Sequence, residues 1–158
     1  MKPNRSYEIR VMEKADVPNI IELIGSTISP EDAEFAKSIF ASYFKPSRKS
    51  WRGGKSYVAT LRGQVVGVSG FYKWGKSYWL GWFAVTPECQ GLGVGSKLLE
   101  EVEKVVRAKG AKELFVYTSI LPKFKKTRDF YKRRGFEEVS KVDHPRWEKN
   151  MVFFRKRL

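Results

Sequence analysis

Three glycines alternate along one short segment, at Gly91, Gly93 and Gly95, and an amphipathic run of residues follows them directly. A loop without side chains lets a ligand come close to the backbone. The first N–H groups of a helix have no partners inside the helix and lie at the positive end of its dipole. A strand, a glycine loop and a helix N-terminus in this order are therefore typical of a phosphate site. The alternative is that these glycines serve only the turns of a loop.

Two common nucleotide-binding patterns do not fit this segment. The pattern G-x-x-x-x-G-K-[ST] fails because Ser96, and not a lysine, follows Gly95. The pattern G-x-G-x-x-G fails because Ser96 occupies the third glycine position, and because Glu113 opens the next strand rather than ending it. The phosphate-bearing ligand is therefore of another kind.

A different family matches. Residues 90–95 (QGLGVG) resemble the [Q/R]-x-x-G-x-[G/A] signature of the GNAT superfamily of N-acetyltransferases, and residues 85–87 (VTP) resemble the V-x-P end of the strand that precedes it there. Residues 130–136 (FYKRRGF) match a second landmark of that family, F-Y-x-x-x-G-F. Both motifs occur in the family's order, with matching element spacing over roughly residues 10–155. The chain is similar to this superfamily over nearly its whole length.

The resemblance implies a fold and a cofactor. The fold would be a single α/β domain over residues 1–158, with about seven mostly antiparallel strands, a splayed central strand pair and about four helices on the faces of the sheet. The cosubstrate would be acetyl-coenzyme A, whose acetyl group passes directly to a primary amine. The splayed strand would pair with its pantetheine arm through Phe83, Ala84 and Val85. The pyrophosphate would lie on the loop and helix start formed by Gln90, Gly91, Leu92, Gly93, Val94, Gly95 and Ser96.

Acetyl transfer requires an acid for the departing thiolate and a base for the amine. By resemblance, Tyr131 occupies the position of the family's thiolate-protonating tyrosine; the alternative is that it only packs beside Phe130 and Phe136. A backbone N–H of the splayed strand would stabilise the negative charge on the carbonyl oxygen.

The general base is not evident from the sequence. The strand YWLGWFAV, residues 78–85, contains no carboxylate, although many relatives place a glutamate on or near it. The acids of the second helix, Glu31, Asp32 and Glu34, are interpreted as a helix cap or a solvated face. His144 is the weak candidate that remains, because its ordinary pKa lies near neutrality. An ordered chain of water is the default.

Other residues modify this interpretation. Phe124 stands where the family often has an asparagine that contacts the cofactor arm. Lys125, Lys126 and Arg128 either attract the cofactor's remaining phosphate or face solvent. Cys89 is interpreted as an ordinary loop residue, because no activating base is evident near it.

Hydrophobic periodicity, together with turn and capping residues, predicts the elements that position these residues. Strands are predicted over residues 7–12, 56–61, 65–72, 78–85, 113–118, 136–142 and 151–155. Helices are predicted to begin at the caps Asp16 and Ser29, to run from the glycine loop to Gly110, and to cover residues 125–134. Four tryptophans in or beside the middle strands either line the acceptor pocket or belong to the core: Trp51, Trp74, Trp79 and Trp82.

The formal net charge of +14 is concentrated in two segments. Residues 45–62 carry six basic residues and no acidic one, and residues 121–158 carry thirteen basic and five acidic residues. Such charge attracts a polyphosphate cofactor, an acidic substrate or a nucleic acid, or it is only a solvated surface. It argues against a polyamine acceptor and favours an amine that also carries acidic groups, or a peptide or protein terminus.

Composition excludes several kinds of site and several classes of protein. The single cysteine rules out an intrachain disulfide and a metal site of several cysteines, and no apolar run approaches the ~20 residues of a membrane span. The first residues lack the apolar middle of a signal peptide. We therefore expect a cytoplasmic protein without a metal, either a monomer or a homodimer.

Two other functions remain open at this point. The chain could bind acetyl-coenzyme A without catalysis, since no base is evident and Phe124 departs from the family pattern. It could also bind nucleic acid through its basic segments. That second function has no recognised motif and leaves the glycine loop without a purpose.

Overall fold

The computed structural model describes residues 6–45, 54–140, 142, 144 and 150–158. Trp51 and most of the loop DHPRW lie outside these ranges. All the strands form a single mixed sheet. They are β1 (Glu8–Val11), β2 (Lys55–Leu61), β3 (Gln64–Trp74), β4 (Ser77–Leu80), β5 (Ala84–Val85), β6 (Glu113–Ser119), β7 (Glu137–Val139) and β8 (Met151–Arg157).

The sheet is antiparallel except at its centre. Its order is β1-β2-β3-β4-β6-β8-β7, with β5 also paired to β3. Only β4 and β6 run parallel, and they pair over two positions, Tyr78 with Leu114 and Trp79 with Phe115. The predicted element order is confirmed, as is the mostly antiparallel sheet with a splayed central pair.

Within the described ranges, four α-helices cover the sheet: α1 (Val17–Thr27), α2 (Pro30–Tyr43), α3 (Val94–Ala108) and α4 (Lys125–Arg133). Ser29 caps α2 as predicted, since its hydroxyl accepts a hydrogen bond from the Asp32 amide at 3.0 Å. Asp16 precedes α1 but does not cap it. Its carboxylate instead accepts two hydrogen bonds from Arg10, at 2.7 and 2.9 Å, which hold the pKa of Asp16 below its ordinary value.

The two faces of the sheet bury different helices. On what we call the α3 face, Leu98, Leu99, Val102 and Val106 of α3 pack on the sheet, and Tyr131 of α4 joins the same cluster. On the opposite face, the α1–α2 face, Ile20 and Ile24 of α1 and Ala36 and Phe40 of α2 pack on β2, β3 and β5. The sheet therefore has a helix layer on both sides.

The predicted strand over residues 78–85 is wrong in one respect, because it is interrupted. β4 ends at Leu80, which pairs with Phe71 of β3, and β5 resumes at Ala84, which pairs with Val68. Three residues, 81–83, therefore face only the two residues of β3 that lie between these pairs. One extra residue against a regular strand is a β-bulge, which bends the bulged strand and increases its twist.

The bulge changes which face each side chain enters. Leu80 lies in the cluster of the α3 face, so strict alternation would send residue 82 there as well. Instead Phe83 and Val85 pack on the α3 face, while Trp82 and Ala84 pack on the α1–α2 face. The inserted residue has inverted the alternation.

The two terminal strands differ from prediction at their ends. The strand predicted over residues 136–142 is shorter, Glu137–Val139, and the strand predicted over residues 151–155 extends to Arg157. β8 gains this length because it lies between β6 and β7 and pairs with β6 along all seven residues, from Met151 to Arg157. β7 pairs with β8 over only three.

We expect the backbone opposite the bulge to tolerate no side chain at Gly70. A Cβ there would lie 2.4 Å from the Lys55 carbonyl oxygen and 2.9 Å from the Ser56 Cα. The Gly70→Ala variant should therefore lose roughly 1–3 kcal/mol of unfolding free energy in chemical denaturation, because neighbouring backbone has to move. Gly81→Ala is the matched control, since its Cβ would come no closer than 3.5 Å to another atom. Equal losses in both variants would contradict this account.

Candidate active site

The glycine loop precedes α3 as predicted. At two of its positions the backbone conformation requires glycine. Gly91 and Gly93 have φ values of 77° and 90°, in the left-handed region that favours glycine. A Cβ on either residue would meet no atom within 4 Å, so space stays open in front of both. Glycine is therefore favoured at these two positions by the φ angle and not by crowding. The open space in front of them is available to a ligand.

The backbone amides of this loop form an unused donor set. The first hydrogen bond of α3 runs from the Lys97 amide to the Gly93 carbonyl, at 3.1 Å. Within the part of the chain that the structure describes, the amides of residues 91–96 donate to no acceptor. With the positive end of the α3 dipole behind them, they provide a cradle for an anion. This is the arrangement that a pyrophosphate requires.

Gly95 serves packing instead. Its Cβ would lie 3.0 Å from Cζ of Phe83 and 3.5 Å from Cζ of Phe130, whose rings stack with centroids 5.2 Å apart. The third glycine therefore lets the start of α3 approach the residue that follows the bulge. The sequence interpretation had given all three glycines the same purpose.

Gln90 acts on the strand. Its side-chain amide donates to the Val85 carbonyl at 3.0 Å, which ties the glycine loop to the end of β5. This contact fixes the loop against the strand, and the place of Gln90 beside a pyrophosphate stays a prediction.

The splayed strand presents backbone groups that no neighbouring strand uses. The Thr86 amide donates to Val66 at 2.9 Å, so Val85 occupies the non-hydrogen-bonded position and directs its own N–H and C=O away from β3. The amides of Trp82 and Phe83 likewise have no acceptor among the described residues. β6 leaves β4 after Phe115, so this edge opens into the gap between β5 and β6.

Tyr131 lies beside this gap. It is buried on the α3 face, with its ring centroid 5.9 Å from that of Phe83 and 5.5 Å from that of Phe136. Burial raises the pKa of its hydroxyl, so the phenol keeps its proton at neutral pH. Both interpretations of Tyr131 agree with this position: it packs beside Phe130 and Phe136, and it adjoins the splayed strand.

The basic helix α4 uses two of its three candidate cations locally. Lys125 pairs with Asp129 at 2.7 Å, and Arg128 donates to the carbonyls of Ser119 and Leu121 at 2.7 and 2.9 Å. Lys126 is exposed. Arg128 therefore stabilises the end of β6, although the sequence suggested a phosphate contact.

Arg134 is the cation that the sequence interpretation missed. Its guanidinium donates to the Ser96 hydroxyl at the start of α3, and it lies 5.4 Å from the centre of the Phe130 ring. A signal was present, because Arg134 immediately precedes the glycine of the second motif. What the sequence could not give is that α4 ends beside the start of α3.

His144, the weak candidate for the general base, has a defined hydrogen-bond partner in the structure. It is buried, and its Nε2 lies 2.5 Å from the Tyr72 hydroxyl in a hydrogen bond. The centroids of Trp79 and Tyr117 lie 4.5 and 4.9 Å from its ring. Trp79 points to the face opposite Leu80, so this aromatic cluster lies on the α1–α2 face, beside the point where β4 and β6 separate.

The acids of α2 have separate positions. Asp32 belongs to the cap of α2 and accepts a hydrogen bond from the indole N–H of Trp82 at 3.2 Å. Glu34 pairs with Lys37 at 2.7 Å on the exposed side of the helix, and Glu31 is exposed. Of the three acids, Asp32 is the one that reaches the bulge.

The three tryptophans of this set that the structure describes lie in different surroundings, and Trp51 lies outside the described residues. Trp79 is fully buried core, and Trp82 is half-buried between the bulge and α2, with its ring 5.6 Å from that of Phe35. The ring centroids of Trp74 and His144 lie 6.3 Å apart.

The two remaining candidate residues lie in short 3-10 turns. Cys89 is buried in the turn Pro87–Cys89, and Phe124 ends the turn Pro122–Phe124 at the start of α4.

Comparison with known proteins agrees with this geometry. The family model described as "Acetyltransferase (GNAT) domain" matches residues 52–138, which is more than half of the chain. The chain belongs to the GNAT acetyltransferase family. The match includes the bulge, the glycine loop, α3 and α4, so it covers the elements that form the candidate site.

Two curated relatives each share 33% identity with a segment of this chain. An amino-acid acetyltransferase of Ralstonia nicotianae matches over 47% of this chain and 17% of its own length. An uncharacterized N-acetyltransferase of Chlorobaculum tepidum matches over 56% of this chain and 54% of its own length. The chain thus spans about half or less of the curated relatives it matches.

Solved GNAT structures share the fold. A GNAT-family acetyltransferase of Desulfovibrio desulfuricans superposes with a TM-score of 0.81 at 24% identity, over 96% of this chain and 99% of that one. A GNAT-family acetyltransferase of Elizabethkingia anophelis, solved with acetyl-CoA bound, gives 0.71 at 18% identity, over 96% and 98%. The architecture of the described chain is therefore that of GNAT acetyltransferases.

The described ranges contain neither a membrane-spanning helix nor a cluster of metal-binding side chains. Within them, no helix is long and apolar enough to cross a membrane. The same residues contain no group of three or more histidine, cysteine or acidic side chains that could hold a metal ion.

Proposed function

We propose that this GNAT protein transfers the acetyl group of acetyl-CoA to a primary amine. The observation that carries this proposal is the set of unused amides over residues 91–96, which adjoins the open backbone edge of residues 82–85. A pyrophosphate and a pantetheine amide need these two kinds of backbone donor, arranged side by side. The relative solved with acetyl-CoA bound supports the same ligand.

The α3 face would hold the cosubstrate. The amides from Gly91 to Ser96 would bind the pyrophosphate, and the Arg134 guanidinium, already hydrogen-bonded to Ser96, adds a positive charge next to it. The backbone amides of Phe83 and Val85 would pair with the pantetheine arm, whereas Ala84 between them already pairs with Val68 of β3. Bound there, acetyl-CoA supplies the acetyl group and a thiolate leaving group.

Two groups near the bulge would assist the chemistry on this side. The amide of Phe83 has no acceptor among the described residues, so it is available to a carbonyl oxygen that gains negative charge. The Tyr131 hydroxyl, a phenol whose pKa burial raises further above neutrality, would hold the proton that the departing thiolate takes up.

The α1–α2 face would receive the amine. There the bulge directs Trp82 toward Asp32 of α2, and the His144–Tyr72 pair lies beside the separation of β4 and β6. Lys123 donates to the Ile28 carbonyl at 3.2 Å, so the segment after β6 meets the turn between α1 and α2 at this end. We propose that His144, held by Tyr72, takes the amine proton directly or through water.

The acceptor is proposed to carry an acidic group beside its amine. The net charge of +14 repels polyamines and attracts acids. One relative is named an amino-acid acetyltransferase, and an α-amino acid has an amine next to a carboxylate. A peptide or protein terminus near acidic residues would meet the same electrostatic requirement.

We expect Gly93→Glu to abolish acetyl-CoA binding in calorimetric titration, because it adds a side chain and a negative charge where the pyrophosphate would lie. Gly110→Glu is the matched control: Gly110 also has a left-handed φ, 89°, and open space, but it follows the other end of α3. A folded Gly93→Glu protein that binds as tightly as the wild type would contradict the cofactor site.

We expect Tyr131→Phe to lower kcat by roughly 10²-fold, within the range for a lost general acid, while acetyl-CoA affinity stays nearly constant. Tyr57→Phe is the control, because Tyr57 is buried in the same cluster but on β2. Rates should be measured with the amine that gives the highest turnover. If thiol departure limits the rate and kcat is nevertheless unchanged, the acid role is wrong.

We expect His144→Gln to lower kcat/KM, because a glutamine side chain can still form hydrogen bonds but cannot take the amine proton. Tyr72→Phe removes the hydrogen bond to His144 and leaves the imidazole in place, so it should lower kcat/KM by a smaller factor. Steady-state rates of the wild type and both variants, measured at one pH with the same amine, check this order. An unchanged kcat/KM in a folded His144→Gln protein would assign the base to another group or to water.

A further inference from the structure

A groove lies at the opposite end of the sheet from the glycine loop. Its volume is about 820 Å³, and the residues around it come from the β3–β4 turn, the end of α3, the start of β6 and the end of β8. α3 has 15 residues, so about 22 Å separates this end from the amide cradle. The groove is therefore distinct from the proposed acetyl-CoA site.

Five basic side chains line this groove. They are Lys73, Lys76, Lys109, Lys112 and Arg157, all exposed. None of the five forms an ion pair with another described residue. The one acid in the lining, Glu113, already lies 3.8 Å from Arg155. The groove consequently carries a local excess of positive charge.

The excess of positive charge arises from the topology of the sheet. It is not evident from the order of charges along the sequence. Four of the five residues lie between the two basic segments, where seven basic residues stand against five acidic ones. β4 and β6 are parallel, so their N-terminal ends meet at the same edge of the sheet, and the antiparallel β8 ends there too. Lysines that are up to 39 positions apart in sequence thus line one surface.

We propose that this groove binds the phosphate backbone of a nucleic acid. Lysine is depleted at interfaces between proteins, whereas lysine and arginine contacts to phosphates supply most of the non-specific affinity for nucleic acids. Four of the five cations are lysines, and Lys73 lies 5.4 Å from the centre of the half-buried Tyr78 ring, which adds an aromatic surface to the groove. A nucleic acid satisfies both features.

The test is fluorescence anisotropy of a labelled single strand of about 16 nucleotides, and of its duplex, titrated with the full chain between about 50 and 200 mM KCl. If all five cations contact phosphates of the single strand, the logarithm of the affinity should fall against the logarithm of salt with a slope of about −3.5. No binding at about 50 mM KCl would overturn the proposal.

The groove is tested by Lys76→Glu/Lys112→Glu, because both lysines lie in turns outside helices and strands. We expect affinity at low salt to fall about tenfold or more and the slope to become shallower by about 1.4. The control is Lys14→Glu/Lys104→Glu, which makes the same charge change at two exposed lysines outside the groove. Thermal unfolding should show that both variants remain folded.

The remaining outcomes distinguish binding at the groove from non-specific attraction by the overall positive charge. Equal losses in the groove variant and the control would overturn the site, because overall charge would then explain the binding. Equally tight binding of poly-glutamate, or of anionic vesicles, would overturn the choice of nucleic acid. Loss confined to the groove variant, with acetyl-CoA titration unchanged, would support it.

Discussion

The candidate site depends on one extra residue in the central strand. β3 pairs with β2 from Gln64 to Phe71, and on its other edge it must hold both β4 and β5. Because three residues, 81–83, oppose two, the strand bends at this point and leaves the neighbouring β6. A regular strand would have continued to pair with β6, and the donors that now face the gap would have been consumed inside the sheet.

The same residue also separates two chemical environments. It sends Phe83 to the α3 face, where Gly95 lets α3 approach and where Tyr131 is buried. It sends Trp82 to the α1–α2 face, where Asp32 accepts its indole N–H. The groups proposed to bind the cofactor and those proposed to receive the acceptor therefore lie on opposite sides of one backbone segment. A transfer reaction needs this arrangement, since the acyl group must be reached from two directions.

The sequence predicted what local patterns determine. The order of elements, the cap at Ser29 and the glycine loop before α3 all depend on neighbouring residues, and all agree with the structure. The bulge was missed, although Gly81 in the middle of a predicted strand was a signal for one. The burial of His144 could not be predicted, because its partner Tyr72 lies 72 positions earlier in the chain. Arg134 beside Ser96 is a long-range contact of the same kind.

Helix electrostatics explains part of the charge distribution but not all of it. The positive end of α3 faces the proposed phosphates, and its negative end is complemented by Arg107 and Lys109 in the last turn and just beyond it. That effect fades within a turn, so it gives no reason for Lys73 and Lys76 on the β3–β4 hairpin or for Arg157 at the end of β8. Cations that repel one another at the same edge of a sheet lower stability unless they are solvated or bind an anion. These cations are exposed to solvent, and the phosphate backbone proposed above would be such an anion.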